Sequence, residues 1–159
     1  MKSNNTAITI RRATSDDVAD LVRLQRMMFE AVGFNGPADF NALEEAAAAY
    51  FTHAIAEGAY QGWLAVTESG WPVAAGGLVV QQHPPSPDNL SGQVAYIANV
   101  VTDPEYRGQS IARRLVQTML RWASDRGITQ VALHAPDDRH ALYEMLGFKA
   151  SNEMRLNLA

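Results

Sequence analysis

Val100-Val101-Thr102-Asp103-Pro104-Glu105-Tyr106-Arg107-Gly108-Gln109-Ser110-Ile111-Ala112-Arg113-Arg114-Leu115 is the stretch on which the fold turns. A β-branched run stops at Asp-Pro, a short polar loop follows, and an amphipathic helix begins around Ser110. A strand–loop–helix junction of this kind aims unpaired backbone N–H groups and the positive end of a helix dipole at one point. Such a point suits an anion, and a phosphate or pyrophosphate above all.

The pattern downstream of the junction is regular. The helix is expected from Ser110 to Arg126, with Ile111, Leu115, Val116, Met119, Leu120 and Ala123 on its buried face and Gly127 as its stop. Ile128–His134 reads as a strand, parallel to the one before the helix if the helix is a crossover. Asp137–Leu146 reads as a short helix ended by Gly147, and the alternation in Met154-Arg155-Leu156-Asn157-Leu158 predicts a strand that closes the sheet.

Upstream, Ile8–Arg12 alternates as a first strand, and Thr14-Ser15-Asp16-Asp17 has the residues of a helix cap. Val18, Leu21, Val22, Leu24, Met28 and Phe29 follow at helical spacing until Gly33-Phe34-Asn35-Gly36-Pro37 breaks the run. A second helix should run from Asp39 or Asn41 to Glu57 and stop at Gly58. Gly62–Thr67, Val73–Gln81 and Gln93–Thr102 then form a meander of antiparallel strands. The last two are separated by His83-Pro84-Pro85-Ser86-Pro87-Asp88-Asn89, whose prolines keep it out of a sheet interior.

Composition bounds the function. The chain has 159 residues, 47% hydrophobic and 19% charged, which suits a single domain, 1–159, with a full core. Without cysteine there is no disulfide, thiolate metal site or cysteine nucleophile, and no metal is implied. No stretch has the length of a membrane span, and Met1-Lys2-Ser3-Asn4-Asn5 lacks the apolar core of a signal peptide, so a cytoplasmic protein is expected. A formal charge of −4 argues against a nonspecific nucleic-acid binder.

Two blocks carry a resemblance. The junction resembles the acyl-CoA-binding motif of the GCN5-related N-acetyltransferases (GNAT), which reads Arg or Gln, two residues, Gly, one residue, then Gly or Ala. Arg107 opens it and Ala112 closes it, while Ser110 stands where the family has its first Gly. Serine keeps the N–H and brings a hydroxyl that can cap the helix or touch a phosphate, but it is strained if the position needs φ > 0. Ala141-Leu142-Tyr143-Glu144-Met145-Leu146-Gly147-Phe148 resembles the family's C-terminal Tyr-bearing helix with Gly-Phe, and Lys149–Leu156 looks like the ending of a bacterial subgroup. The element order β-α-α-β-β-β-α-β-α-β extends the likeness over the whole chain. The resemblance implies an α+β fold, three-layer α/β/α around a mixed, mostly antiparallel sheet of six to seven strands.

It also implies acetyl transfer from acetyl-CoA to the primary amine of a small molecule or of a protein, by direct attack in a ternary complex, with a homodimer allowed. Main-chain groups of Val101 and Thr102 would pair with the pantetheine arm, and the Val101 N–H would meet the thioester carbonyl. Arg107, Gly108, Gln109, Ser110, Ile111 and Ala112 would cradle the pyrophosphate, and Arg113 or Arg114 would reach the 3′-phosphate. The matching tyrosine, Tyr143, is the candidate general acid. A phenol of pKa about 10 holds its proton at neutral pH, while the departing thiol, at about 8.5, needs one.

The base is less defined. An alkyl ammonium of pKa about 10 lies about three units above neutrality, a penalty of about 4 kcal/mol in free amine. Many relatives place a carboxylate on the strand before the anion loop. Here that strand reads Tyr96-Ile97-Ala98-Asn99-Val100-Val101. Asn99 can orient a water or the acceptor but cannot take the proton. His83 and His134 are further candidates, Glu105 reads as capping or solvating the anion loop, and proton transfer through water leads. Phe34, Phe40, Tyr96 and Asn99, then Tyr60 and Trp63, are candidate walls of an acceptor pocket between the first two helices and the meander. A noncatalytic acyl-CoA-binding regulator is the alternative, favoured by Ser110 and by the missing strand carboxylate.

Overall fold

The computed structural model describes residues 7–34, 36 and 39–158; the N-terminal stretch read against a signal peptide, and Asn35 and Pro37 of the helix break, lie outside them. The elements are β1 (Thr9–Arg12), α1 (Val18–Ala31), α2 (Phe40–Glu57), β2 (Gln61–Val66), β3 (Pro72–Gln82), β4 (Gln93–Thr102), α3 (Ile111–Asp125), β5 (Gln130–Leu133) and α4 (His140–Met145). Local chemistry sets several boundaries. Asp39 caps α2 by accepting from the Ala42 N–H, and Gly58 ends it in the left-handed conformation. Thr14 and Asp17 form a capping box ahead of α1, and Asp17 also takes both guanidinium nitrogens of Arg11 at 2.9 Å.

The strands form one sheet in the order β1-β2-β3-β4-β5, antiparallel except for the parallel β4–β5 pair. The crossover through α3 requires that parallel pairing. Side chains alternate between two cores. Trp63, Ala65, Leu78, Ala95 and Ile97 pack against Ile111, Leu115, Val116, Met119 and Ala123 of α3. On the other face Leu64, Ala75 and Val101 meet Leu21 and Leu24 of α1 and Phe51 of α2. Three layers result, α/β/α, because the central strands are apolar on both faces.

Among the described residues the sheet has five strands, not six or seven. Residues 149–158 take neither helix nor sheet conformation, and Met154, Leu156 and Leu158 are 98%, 81% and 87% exposed. Alternation marks a segment fit for a ladder, but the ladder itself needs a second strand, and among the described residues none pairs with this one.

Two features of β4 shape the site. Its pairing with β5 covers only Val94–Ile97, so from Ala98 to Thr102, about 17 Å of strand, that edge is open. Within this length the register against β3 slips: Ala98 faces Gly77 and Val101 faces Ala75, leaving Asn99 and Val100 opposite Gly76 alone. The extra residue is Asn99, at φ 58°. The bulge reverses the alternation, so that Val100 packs on the α3 side and Val101 on the α1 side.

Candidate active site

The loop between β4 and α3 is built by a few local bonds. Asp103 accepts from the Glu105 N–H at 3.0 Å, Pro104 starts a single 3-10 turn, and the Tyr106 N–H returns to the Asp103 carbonyl at 2.8 Å. Gly108 then takes φ 80° and Ser110 φ 60°. Two left-handed residues in one short loop turn its amides inward. Ser110 precedes α3 without a side-chain capping bond, and the first bond of the helix runs from the Arg114 N–H to the Ser110 carbonyl. The N–H groups of Ile111, Ala112 and Arg113 therefore lie ahead of the helical ladder, where no carbonyl of the helix answers them. Of the two roles open to the Ser110 hydroxyl, capping is not taken up.

This corner opens on a cleft of about 460 Å³. Thr102, Arg107, Gly108, Ser110, Ile111, Ala112 and Arg113 line one side, and Asp138, Arg139, Leu142 and Met145 the other. Three guanidinium groups, Arg107, Arg113 and Arg139, face it with a single carboxylate, Asp138, so the cleft is locally cationic in a chain of net charge −4. Of the two arginines the sequence offered as equals, Arg113 lines the cleft, while Arg114 turns back to the Ile8 carbonyl at 3.0 Å. Gln109 lies in the loop but not on the wall. Arg139 escaped the sequence reading, and only its place at the head of the tyrosine helix pointed to it.

At the upper end, the Asp103 N–H donates to the Val73 carbonyl at 2.8 Å. Backbone groups alternate along a strand, so the Val101 N–H also faces β3, whereas those of Thr102 face the open edge. The expected thioester contact at Val101 is thus turned the wrong way, and Thr102 is the residue with outward main-chain groups. Its side chain is buried, lines the cleft, and its hydroxyl has no partner. A buried hydroxyl left single in this way is costly unless something fills the cleft beside it.

Tyr143 is 6% exposed, on α4, with its ring edge-on to Phe148 at 5.7 Å. Burial pushes its phenol above the ordinary tyrosine value, and Arg139 opposes that shift. It therefore stays protonated through neutral pH and can donate, not accept. Across the sheet, the Tyr60 phenol fills the space over Gly77, where any Cβ would collide with it. Burial raises its pKa strongly, nearby Tyr50 adds to the rise, and a hydrogen bond with Asn99 opposes it. Asn99 is one of the few residue types besides glycine that accept its left-handed backbone. The Gly76-Gly77 pair thus makes room on both faces at the bulge, for Met119 on one side and Tyr60 on the other.

The other candidates are scattered. Tyr96 is half-buried in β4, and Phe34 is 53% exposed at the end of α1 against Phe29. Phe40 lies under the Arg26 guanidinium. Trp63 belongs to the α3-side core, edge-on to Trp122, on the face away from α1 and α2, and so cannot wall the expected acceptor pocket. His83 and His134 are exposed beyond the ends of their strands, and the exposed Glu105 sits in the loop's 3-10 turn.

An open strand edge beside a cationic strand–loop–helix corner is the anion site that the sequence predicts, and comparison with known proteins gives its family. Residues 21–148 match the model of the Acetyltransferase (GNAT) family, and the chain belongs to that family. It is similar in structure to a GCN5-related N-acetyltransferase from Ralstonia eutropha JMP134, with TM-score 0.87 and 28% identity over 96% of this chain and 99% of that one. A predicted acetyltransferase from Clostridium acetobutylicum, solved with acetyl-CoA, gives TM-score 0.86 and 25% identity over 95% and 96%. Among curated proteins, a glucosamine 6-phosphate N-acetyltransferase of Trypanosoma brucei brucei is 35% identical over 66 residues, 41% of this chain and 45% of its own length. Human N-acetyltransferase 8B is 31% identical over 94 residues, 57% of this chain and 39% of its own. The match thus spans less than half the length of these two curated relatives.

Proposed function

We propose that this chain, acting as one domain, transfers the acetyl group of acetyl-CoA to a primary amine, carried by a small molecule or a protein, by direct attack in a ternary complex. The observation that carries the reading is the cleft at residues 102–113, with its amides ahead of the α3 ladder and its arginines. The donor set fits the coenzyme: main-chain N–H groups from Gly108 to Arg113 for a diphosphate, Arg113 and Arg139 for a further phosphate, and the outward groups of Thr102 for an amide arm. The thioester, when bound, supplies an activated acyl carbon and a thiol leaving group.

The chain's own part is positional and acid–base. The open edge of β4 receives the arm as an added strand, while Tyr143 holds a proton for the departing sulfur. On the acceptor side, Asn99 and the Tyr60 phenol keep the bulge in shape and orient the amine or a water. Neither takes a proton at neutral pH, so the ammonium proton leaves through solvent. The Phe34 and Tyr96 rings are the acceptor contacts of this scheme.

Incubation with acetyl-CoA and a panel of amines, glucosamine 6-phosphate and a lysine peptide included, tests the proposal by release of free CoA thiol. Turnover with any amine supports transfer. Tight CoA binding with no turnover across the panel returns the chain to a noncatalytic acyl-CoA sensor.

A further inference from the structure

Among the described residues four arginines lie over aromatic rings: Arg12 on Trp63 at 4.6 Å, Arg23 on Trp71 at 4.5 Å, Arg26 on Phe40 at 5.1 Å and Arg126 on Trp122 at 3.9 Å. Arg23 also pairs with Asp20, and Arg26 with Glu30 and Glu44. Arg12 and Arg126 pair with no carboxylate among the described residues. They are also the two whose rings meet. Trp63 and Trp122 stand edge-on with centroids 6.1 Å apart, so both cations rest on one aromatic floor.

The fold assembles this pair from distant parts of the chain. Arg12 ends β1 opposite Trp63 of β2, and side chains opposed across an antiparallel ladder share a face. That face is the one α3 covers, with Trp122 in its last turns and Arg126 just past its end. A helix dipole favours a cation at the carboxyl end, which accounts for Arg126 alone. It does not account for a second guanidinium brought to the first. Arg12 is held there by the Gln61 side-chain oxygen, which accepts from it, while the Gln61 amide donates to the Gly58 carbonyl at 2.8 Å. Partial burial and the Arg126 charge both keep Arg12 below the ordinary arginine pKa. A guanidinium offers several N–H donors. Arg12 spends one on Gln61, and Arg126 spends one, at 3.5 Å, on the Trp122 carbonyl. The Trp122 indole N–H, buried in the same cluster, has no partner.

We propose that Arg12 and Arg126, over the floor made by Trp63 and Trp122, bind a phosphate group, either free or as the ester of a small metabolite. A phosphate carries a charge of about −1.5 to −2 at neutral pH, which matches two cations left without a counter-charge. Its oxygens accept from both guanidinium groups in charge-assisted bonds, which are the strong ones. An oxygen at the ring edge would also give the indole N–H its partner and remove the cost of leaving it single. The site lies at the opposite end of α3 from the cleft, about 20 Å along the helix. It is a second anion site, and it does not rest on the chemistry assigned to the cleft.

Two of the chain's three tryptophans form the floor, so indole fluorescence reports the site. Trp71→Phe removes the third, which stands exposed just before β3. In that background, titration with inorganic phosphate at neutral pH and constant ionic strength should give a saturable change that chloride does not. Arg126→Gln should weaken the binding about tenfold or more, as should Arg12→Gln. Arg113→Gln, in the cleft and beyond a Debye length, should leave it within about twofold. Arg126 is exposed at the helix end, so its variant decides the matter even if Arg12→Gln does not fold. Glycerol 3-phosphate, titrated alongside, separates the sources: tighter binding of the ester assigns a metabolite phosphate, and tighter binding of the inorganic ion a free one. No saturable change with either overturns the proposal. So does a change that chloride reproduces, or one that Arg126→Gln leaves intact; the latter, if lost in Arg113→Gln, would place the phosphate in the cleft.

Discussion

Replacing Ser110 by glycine should stabilise the ligand-free protein. Ser110 sits at φ 60°, ψ 25°, a conformation that costs an L-residue about 1–2 kcal/mol. Its hydroxyl makes no capping bond to offset that cost. Glycine removes the strain but loses more freedom on folding, about 0.5–1 kcal/mol. The balance is a gain of about 0.5–1 kcal/mol, or a rise in Tm of about 1–4 °C for a chain of this size. Ser110→Ala is the control. A serine that truly capped α3 would lose about 1 kcal/mol on this change, whereas here no cap exists to lose and Tm should move by less than about 2 °C. Thermal melts of the three proteins without ligand decide the matter. A fall in Tm for Ser110→Gly, or a large fall for Ser110→Ala, would refute the geometry. Calorimetric titration with CoA should leave the Ser110→Gly Kd within about threefold, because glycine keeps the N–H that grips the anion. A loss beyond tenfold would make the hydroxyl the ligand.

Tyr143→Phe should lower kcat about 100-fold or more with CoA affinity nearly intact, as expected for a lost proton donor. Because burial raises this phenol above its ordinary value, its deprotonation should cause no fall in kcat/KM below pH 10; a descending limb near pH 8 that vanishes in the variant would contradict the assignment. Asn99 holds a left-handed bulge, so Asn99→Gly should fold as the parent does, while Asn99→Val should lose about 1–3 kcal/mol in urea unfolding; equal stability of the two would remove the strain argument. Asp17→Asn breaks the paired bonds from Arg11 and the Thr14 N–H and should cost about 1–3 kcal/mol at pH 7. Arg11 holds the Asp17 carboxyl below the usual range, so the stability it contributes is full above the unfolded value of about 3.9 and is lost as pH falls through the lower folded value. The gap between parent and variant should close in acid, and a gap independent of pH would contradict the ion pair.

Much of this architecture is legible along the chain because the deciding signals are local. Asp39 and Gly58 frame α2, and the β-branched run ending at Asp103-Pro104 gives β4 its end. Strand–loop–helix order alone places the anion corner. What stays hidden depends on two segments at once. Asn99 reads as one more strand residue, and only the register against Gly76 and Gly77 shows the bulge that turns the Val101 N–H away from the open edge. Arg113 and Arg114 are alike in sequence, and the helix phase against Ile8 separates them. Arg139 reaches the cleft across a gap that no spacing along the chain records. Trp63 could face either side, and packing against Trp122 decides. The alternation at 154–158 predicts a strand but not the ladder it would join, because a pattern specifies a side of a strand and not its partner.

The function proposed for this chain requires that the main-chain amides where residues 107–113 enter α3 grip a diphosphate. A crystal structure of the protein with CoA tests it directly. Diphosphate oxygens should lie about 2.7–3.2 Å from N–H groups between Gly108 and Arg113, with the Arg139 guanidinium beside a phosphate. Coenzyme bound elsewhere, or density for it everywhere but in that corner, would contradict it.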